Sequence, residues 1–282
     1  MNYEPRIALE FFSHFGKSES FKPGEVIFMQ GQKANRSLLQ DDKMYLVVKG
    51  KVSIQLAAKH IATVKNLGIF GELTPLIMSG RSASAVAQTP CRLLSLSDKQ
   101  LVAGLKEKPE FALMLMNVLV NYLRMAASIA KTSSLFIENK TSAKMAKIDP
   151  KMCAELMKQL GDDAVISVPK QQVIFQEGET GTLMYLIMQG FVTVRIGDKI
   201  VERSGQGDII GEIALVDQKQ RLASVITDSD CLLLAISRQV FLDLIKTQPE
   251  FAIALLRALA SRLYLCRTGK PYMPGNLLFS GY

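Results

Sequence analysis

The chain repeats itself at a spacing of 140 residues, and this duplication constrains its fold more than any other feature. Gly71-Glu72 recurs as Gly211-Glu212, Arg81 as Arg221, Ala83-Ser84 as Ala223-Ser224, and Cys91 as Cys231. Met44-Tyr45-Leu46, Gly50 and the run Pro109-Glu110-Phe111-Ala112 reappear at the same offset. Upstream, Val26-Ile27-Phe28 and Gly31 match Val173-Ile174-Phe175 and Gly178 at an offset of 147. The first copy therefore carries seven extra residues, within the polar stretch QKANRSLLQDDK. A chain of 282 residues holds two such copies as two domains. We place the first at residues 1–130, a linker at 131–148 and the second at 149–282.

Each copy reads as strands first and helices last. YLVVKGKVSIQLA mixes an apolar run with alternation around Gly50, which predicts paired strands joined by a tight turn. MYLIMQGFVTVRI repeats the pattern about Gly190. AVAQTPCRLLSLS and SVITDSDCLLLAIS each read as two strands joined at a polar corner. The period then changes. FALMLMNVLVNYLRMAASIA and FAIALLRALASRLYL are Leu/Ala/Met-rich, lack internal Pro and Gly, and follow Pro109 and Pro249, which suit helix starts. Asp149-Pro150 reads as an N-cap and first residue of a helix that ends before Gly161. Strands flanked by helices make each copy α+β.

Composition removes several classes of function. With 48% hydrophobic and 21% charged residues, each copy can bury a core without metal or disulfide help. The four cysteines, at 91, 153, 231 and 266, form no Cys-x-x-Cys pair, which argues against zinc or a disulfide scaffold and suits a reducing, cytoplasmic setting. The only histidines, His14 and His60, are too few for a histidine metal site or a triad, which nearly excludes a metal-dependent barrel enzyme. No run of about 18 apolar residues predicts a membrane span, and the start MNYEPRIALEFF lacks a secretory pattern. The net charge of +8 is compatible with an anionic ligand without naming one.

The Gly-Glu-…-Arg segments carry the chemistry. Gly71 permits close backbone approach, while Thr74 and Pro75 read as the cap and first residue of a short helix whose N–H groups could receive a phosphate. Arg81, nine residues after Glu72, can return to the same pocket and pair with a phosphate oxygen. Glu72 can accept a hydrogen bond from a sugar hydroxyl. Glu212 and Arg221 keep the spacing of nine.

These residues, with the upstream Ile-Phe-…-Gly and Met-Tyr-…-Gly signatures in register, resemble the phosphate-binding cassette of the cyclic nucleotide-binding domain family, over roughly residues 15–130 and 160–266. The resemblance implies two tandem barrels of the double-stranded jelly-roll type, each flanked by helices. It also implies a non-catalytic receptor, with the glutamate on the ribose 2′-hydroxyl, the arginine on the cyclic phosphate, and backbone N–H groups completing the cradle. The expected ligand-binding residues are Gly71, Glu72, Leu73, Thr74, Arg81, Ser82 and Ala83, and Gly211, Glu212, Ile213, Ala214, Arg221, Leu222 and Ala223. In the family a hydroxyl directly after the arginine can favour guanine, and Ser82 but not Leu222 supplies one; serine also stands there in cAMP receptors, so the resemblance makes cAMP the expected ligand and cGMP the second choice. Helical residues Tyr122, Leu123, Leu263 and Tyr264 are candidates for a lid over the base.

Output is expected through ligand-dependent helix movement against an effector protein. The short tail RTGKPYMPGNLLFSGY leaves no room for a helix-turn-helix, so no DNA-binding domain is expected. The apolar helix at 111–130 has surface enough to pack on a second chain, as a homodimer, or on the neighbouring barrel. The competing reading is a ligand-free interaction scaffold with degenerate barrels, in which each Glu/Arg pair is an internal salt bridge.

Overall fold

The computed structural model describes residues 3–33, 42–77, 80–132 and 146–268. The polar insertion at 34–41, most of the 131–148 linker and the tail after 268 lie outside the described residues. By contacts the chain divides into two compact units. One holds the residues up to Val118 together with those from Leu263 on, and the other holds Leu119–Arg262. The repeat assigns each long helix whole to its own copy, whereas contacts divide each of the two helices between the units.

The first unit opens with helix α1 (Pro5–Phe15), then strands β1 (Lys17–Phe21), β2 (Val26–Phe28), β3 (Lys43–Lys49), β4 (Val52–Leu56), β5 (Lys59–Val64) and β6 (Ile69–Phe70). A short helix α2 (Leu73–Ile77) precedes β7 (Ser84–Ala87) and β8 (Cys91–Ser97), and helices α3 (Asp98–Glu107) and α4 (Glu110–Thr132) follow. The strands form two antiparallel sheets, ordered β1-β8-β3-β6 and β2-β7-β4-β5. The second copy repeats the plan. After α5 (Pro150–Leu160) come β9 (Val165–Val168), β10 (Val173–Phe175), β11 (Leu183–Gln189), β12 (Phe191–Ile196), β13 (Lys199–Gly205) and β14 (Ile209–Ile210). Helix α6 (Glu212–Asp217), β15 (Ser224–Thr227), β16 (Cys231–Ser237), α7 (Arg238–Thr247) and α8 (Pro249–Thr268) complete it. Its sheets run β14-β11-β16-β9 and β10-β15-β12-β13. Even the register is copied: Tyr45 lies opposite Ser95 and Tyr185 opposite Ala235, while Val52 faces Ala87 and Val192 faces Thr227.

Burial on both faces explains the continuous apolar runs. Tyr45 and Val47 of β3 point into the barrel cluster with Phe28, Val52, Ile54, Phe70 and Leu93. Met44 and Leu46, one residue off in a period-2 strand, are fully buried outside that cluster, on a strand against which α1 and α2 pack. Tyr185 and Ile187 do the same in the second barrel. Helix starts follow local chemistry. Asp149 caps α5 by accepting from the Met152 N–H, and Ser97 forms a capping box with Gln100 at α3.

Two local expectations are corrected. Strands β3 and β4 do not pair across Gly50, nor β11 and β12 across Gly190, because each pair of neighbours enters a different sheet. Each glycine, at φ 99° and 92°, is a corner between sheets rather than a hairpin turn. Thr74 and Pro75 lie inside α2, which begins at Leu73. Pro75 is tolerated there because N–H groups of the first helical turn have no partner within the helix. Among the described residues one helix segment, Glu110–Ser128 of α4, is long and apolar enough to cross a membrane, with mean hydropathy 1.3. Since 72% of that segment is buried inside the protein, core packing accounts for its apolar character.

Candidate functional site

In the first unit all seven expected cassette residues line one pocket. Gly71, Glu72, Leu73, Thr74, Arg81, Ser82 and Ala83 surround a space of about 330 Å³, counting its open mouth, together with Phe28, Ile54 and Phe70. The residues come from β6, α2, the segment before β7, and the facing strands β2 and β4. The chain turns sharply at Gly71, whose φ is 74°. A Cβ there would lie 2.9 Å from Nη1 of Arg81, so any other residue would push against the guanidinium as well as strain the backbone.

The arginine has a constructed seat. Arg81 Nη1 donates to the Gly71 carbonyl at 3.1 Å, and the guanidinium carbon lies 4.0 Å from the centre of the Phe28 ring. Arg81 is buried, and burial lowers its pKa despite the opposing charges of Tyr45, Asp42 and Glu72. Tyr45, whose charge acts on Arg81, is itself pushed up to about 12 by burial and by Glu19. The backbone on either side of the arginine is pinned to the loop after β2. The Arg81 N–H donates to Gln32 O at 2.9 Å, and the Gly31 N–H donates to Arg81 O at 2.8 Å.

The second unit builds the same seat. Arg221 Nη1 donates to the Gly211 carbonyl at 2.8 Å, Nη2 donates to Leu183 O at 2.6 Å, and the guanidinium lies 4.0 Å over Phe175. A Cβ on Gly211, at φ 80°, would come within 2.5 Å of Arg221 Nη1. Burial lowers the pKa of Arg221 as well. Backbone pinning also repeats, from the Arg221 N–H to Glu179 O at 2.8 Å and from the Gly178 N–H to Arg221 O at 3.0 Å. Among the described residues, the guanidinium bonds of Arg81 and Arg221 go to backbone carbonyls. Each guanidinium bonds the carbonyl of its cassette glycine, which leaves further N–H donors for an anion.

The glutamates are held differently. Glu212 Oε1 accepts from Arg262 Nη1 of α8 at 2.9 Å. The same guanidinium donates to Glu202 of β13 at 2.9 and 3.1 Å and to the Ile209 carbonyl at 2.6 Å. Ser204 Oγ donates to Glu202 at 2.6 Å. Burial raises the Glu202 carboxyl, but the Arg262 charge, its hydrogen bonds and Ser204 outweigh that and hold it below the ordinary range. Glu212 stays above the ordinary range because burial outweighs Arg262. Arg262 is driven further toward its charged form, since the two carboxylates overcome the opposing effect of burial. At the offset of 140, the first copy has Ala62 and Tyr122 in place of Glu202 and Arg262.

Several of these residues escaped sequence reading. Phe28 and Phe175 were visible as a repeated Val-Ile-Phe, but their role under the arginine depends on how two sheets face each other. Arg262 and Glu202 have no counterparts in the first copy, so self-comparison passes over them. Of the lid candidates, Tyr122, Leu123 and Leu263 are buried and Tyr264 is half-buried.

The cyclic nucleotide-binding domain model matches residues 18–108 and 165–248, more than half of the chain, and the chain belongs to that family. It is 29% identical over 210 residues to a cAMP-dependent protein kinase type II regulatory subunit of Drosophila melanogaster, covering 72% of this chain and 48% of that protein. It is 34% identical over 100 residues to a cyclic AMP receptor protein of Thermus thermophilus, covering 34% of this chain and 46% of that one. The chain thus spans about half the length of the curated relatives it matches. Among solved structures it is similar to the regulatory domain of Toxoplasma gondii protein kinase A with cAMP, at 16% identity over 88% of this chain and 92% of that one, TM-score 0.31. It is similar also to the regulatory subunit of a cAMP-independent protein kinase A of Trypanosoma brucei, at 18% identity over 90% and 86%, TM-score 0.31.

Proposed function

We propose that this protein is a non-catalytic, cytoplasmic receptor that binds a cyclic nucleotide in each of its two barrels and signals to a protein effector by ligand-dependent helix movement. The observation that carries the reading is the duplicated arginine seat: a buried guanidinium on a glycine carbonyl and a phenylalanine ring, in both copies. Desolvating a cation costs several kcal/mol unless a negative partner offsets it, and a cyclic phosphate supplies a single delocalised charge of the right kind. Arg81 and Arg221 bind the phosphate, and Glu72 and Glu212 accept the sugar hydroxyl. Backbone groups at Gly71-Leu73-Thr74 and Gly211-Ile213-Ala214, and at Ser82-Ala83 and Leu222-Ala223, complete the two cradles. cAMP is the favoured ligand and cGMP the second. The copies at 1–130 and 149–282 act as the two receptor domains. A ligand can drive helix movement only as far as it binds one helix arrangement better than another.

Calorimetry with cAMP and cGMP tests this directly. Two equivalents of cAMP at micromolar affinity or tighter support the receptor, whereas no heat with either nucleotide leaves the ligand-free scaffold as the function.

A further inference from the structure

The last turn of α6 and the loop after it, Gln218 to Gln220, set the position of Arg221. Gln218 ends α6 in the left-handed conformation at φ 57°, so this loop departs from the helix at an angle that a glutamine does not favour on its own. Gln220 forms an isolated antiparallel bridge with Thr180, and Arg221 follows immediately. One side chain spans this loop. Arg124, on the part of α4 that belongs to the second unit, donates from Nε and Nη2 to the two carboxylate oxygens of Asp217, the latter bond at 2.9 Å. The same Nη2 donates to the Gln220 carbonyl at 2.8 Å. Asp217 is nearly buried, with 5% of its side chain exposed, so this is a desolvated two-pronged pair rather than a loose surface contact. Asp217 also accepts from the Lys219 N–H at 3.2 Å, at the centre of the loop.

We propose that Arg124 is a positioning residue for the second phosphate cassette, clamping the loop from Asp217 to Gln220 so that Arg221 is presented to the ligand. This role rests on the reading of the second barrel as a nucleotide site. The clamp is private to that barrel, because the offset of 140 puts Ile77 and Gly80 where Asp217 and Gln220 stand, and Tyr264 where Arg124 stands. Ile77 offers no carboxylate for an arginine to grip, as Asp217 does in the second barrel.

Two measurements on the full chain decide the matter. The first is amide exchange without nucleotide. Arg124→Gln should raise exchange about tenfold or more at the Gly178 and Arg221 amides, the size expected when charge-assisted bonds are lost, and should leave Gly31 and Arg81 unchanged. The second is calorimetry with cAMP in an Arg81→Ala background, where only the second site reports. There Arg124→Gln should weaken binding about tenfold, and Arg124→Lys, which keeps the charge and loses the fork, should stay impaired. Unchanged exchange at Gly178 and Arg221 overturns the clamp. So does faster exchange throughout the second unit, including the Cys231–Leu234 strand amides, since that is the mark of a merely structural contact. If Arg81→Ala alone abolishes all cAMP binding, the second site is not a receptor, and the exchange result still decides whether Arg124 holds the loop.

Discussion

The two barrels share their arginine seats almost atom for atom and differ in how they hold the neighbouring carboxylate. Arg81 and Arg221 each bond a left-handed glycine and lie 4.0 Å over a phenylalanine. Glu212, however, is fastened by Arg262, which Glu202 fastens in turn, while the first copy has Tyr122 and Ala62 at those places. The arginine seat depends on backbone geometry and one ring, so both copies can keep it with few residues. A buried carboxylate needs its charge managed, and in the second copy Arg262 of the long helix does that for Glu212.

The largest expected effect falls on the part that only one copy owns. Arg262→Ala leaves Glu202 and Glu212 buried without their cation, and breaking a buried pair in this way costs about 3–5 kcal/mol. Tyr122→Phe, at the equivalent place, removes only a hydroxyl and should cost about 1 kcal/mol or less. Urea unfolding compares the two. Equal losses would mean that the difference between the carboxylate seats has no energetic content.

Removing the shared part should affect the two copies alike. Arg81→Ala and Arg221→Ala each remove a desolvated charge from its site, at a cost of about 2–5 kcal/mol in ligand affinity. In calorimetry each variant should retain one equivalent of cAMP at its parental affinity. Two full-affinity equivalents in either variant would show that its arginine does not hold the phosphate.

Acid should weaken the second site. Glu212 lies above the ordinary carboxylate range through burial, so on acidification it takes up a proton before an ordinary carboxylate does. Protonation removes the charge that strengthens its bond from a sugar hydroxyl. Glu202, held below the ordinary range, remains ionised and keeps Arg262 in place. Second-site affinity for cAMP, measured in the Arg81→Ala chain, should therefore fall as the pH is lowered, beginning above the range in which an ordinary carboxylate takes up its proton. Glu212→Gln should bind weakly throughout and lose the slope. A slope that persists in Glu212→Gln would assign it to another group.

What could be read in the sequence follows the same division. The arginine, the glutamate and the glycine sit within eleven residues of one another and recur at a fixed offset, so a self-comparison finds them without knowledge of the fold. The strands were legible from strand-length apolar runs and their closure into a barrel from the family resemblance, yet the pairing around Gly50 was not legible. A left-handed glycine serves a hairpin and a corner between sheets equally well, and only the partners β8 and β7 decide between them. Arg262 acts on residues 50 and 60 positions away, and Arg124 on one 93 positions away, with no counterpart in the other copy. No local pattern marks such contacts, because a helical arginine facing solvent has the same sequence signature as one facing a buried carboxylate.

The smallest effect concerns the residue after each arginine, where the copies differ by one side chain. Ser82 lines the first pocket beside Arg81, and Leu222 stands at the equivalent place in the second copy. A hydroxyl there can accept from the 2-amino group that guanine has and adenine lacks, a neutral bond of about 0.5–1.5 kcal/mol. Ser82→Ala should therefore lower first-site affinity for cGMP about two- to tenfold and leave cAMP nearly unchanged, measured in the Arg221→Ala chain. Leu222→Ser should move the second site the other way, toward cGMP, in the Arg81→Ala chain. If only Ser82→Ala changes the ratio, the hydroxyl needs surroundings that the second barrel does not provide. If neither does, base preference is set elsewhere in the pocket, and the copies differ in how they hold the sugar rather than in how they read the base.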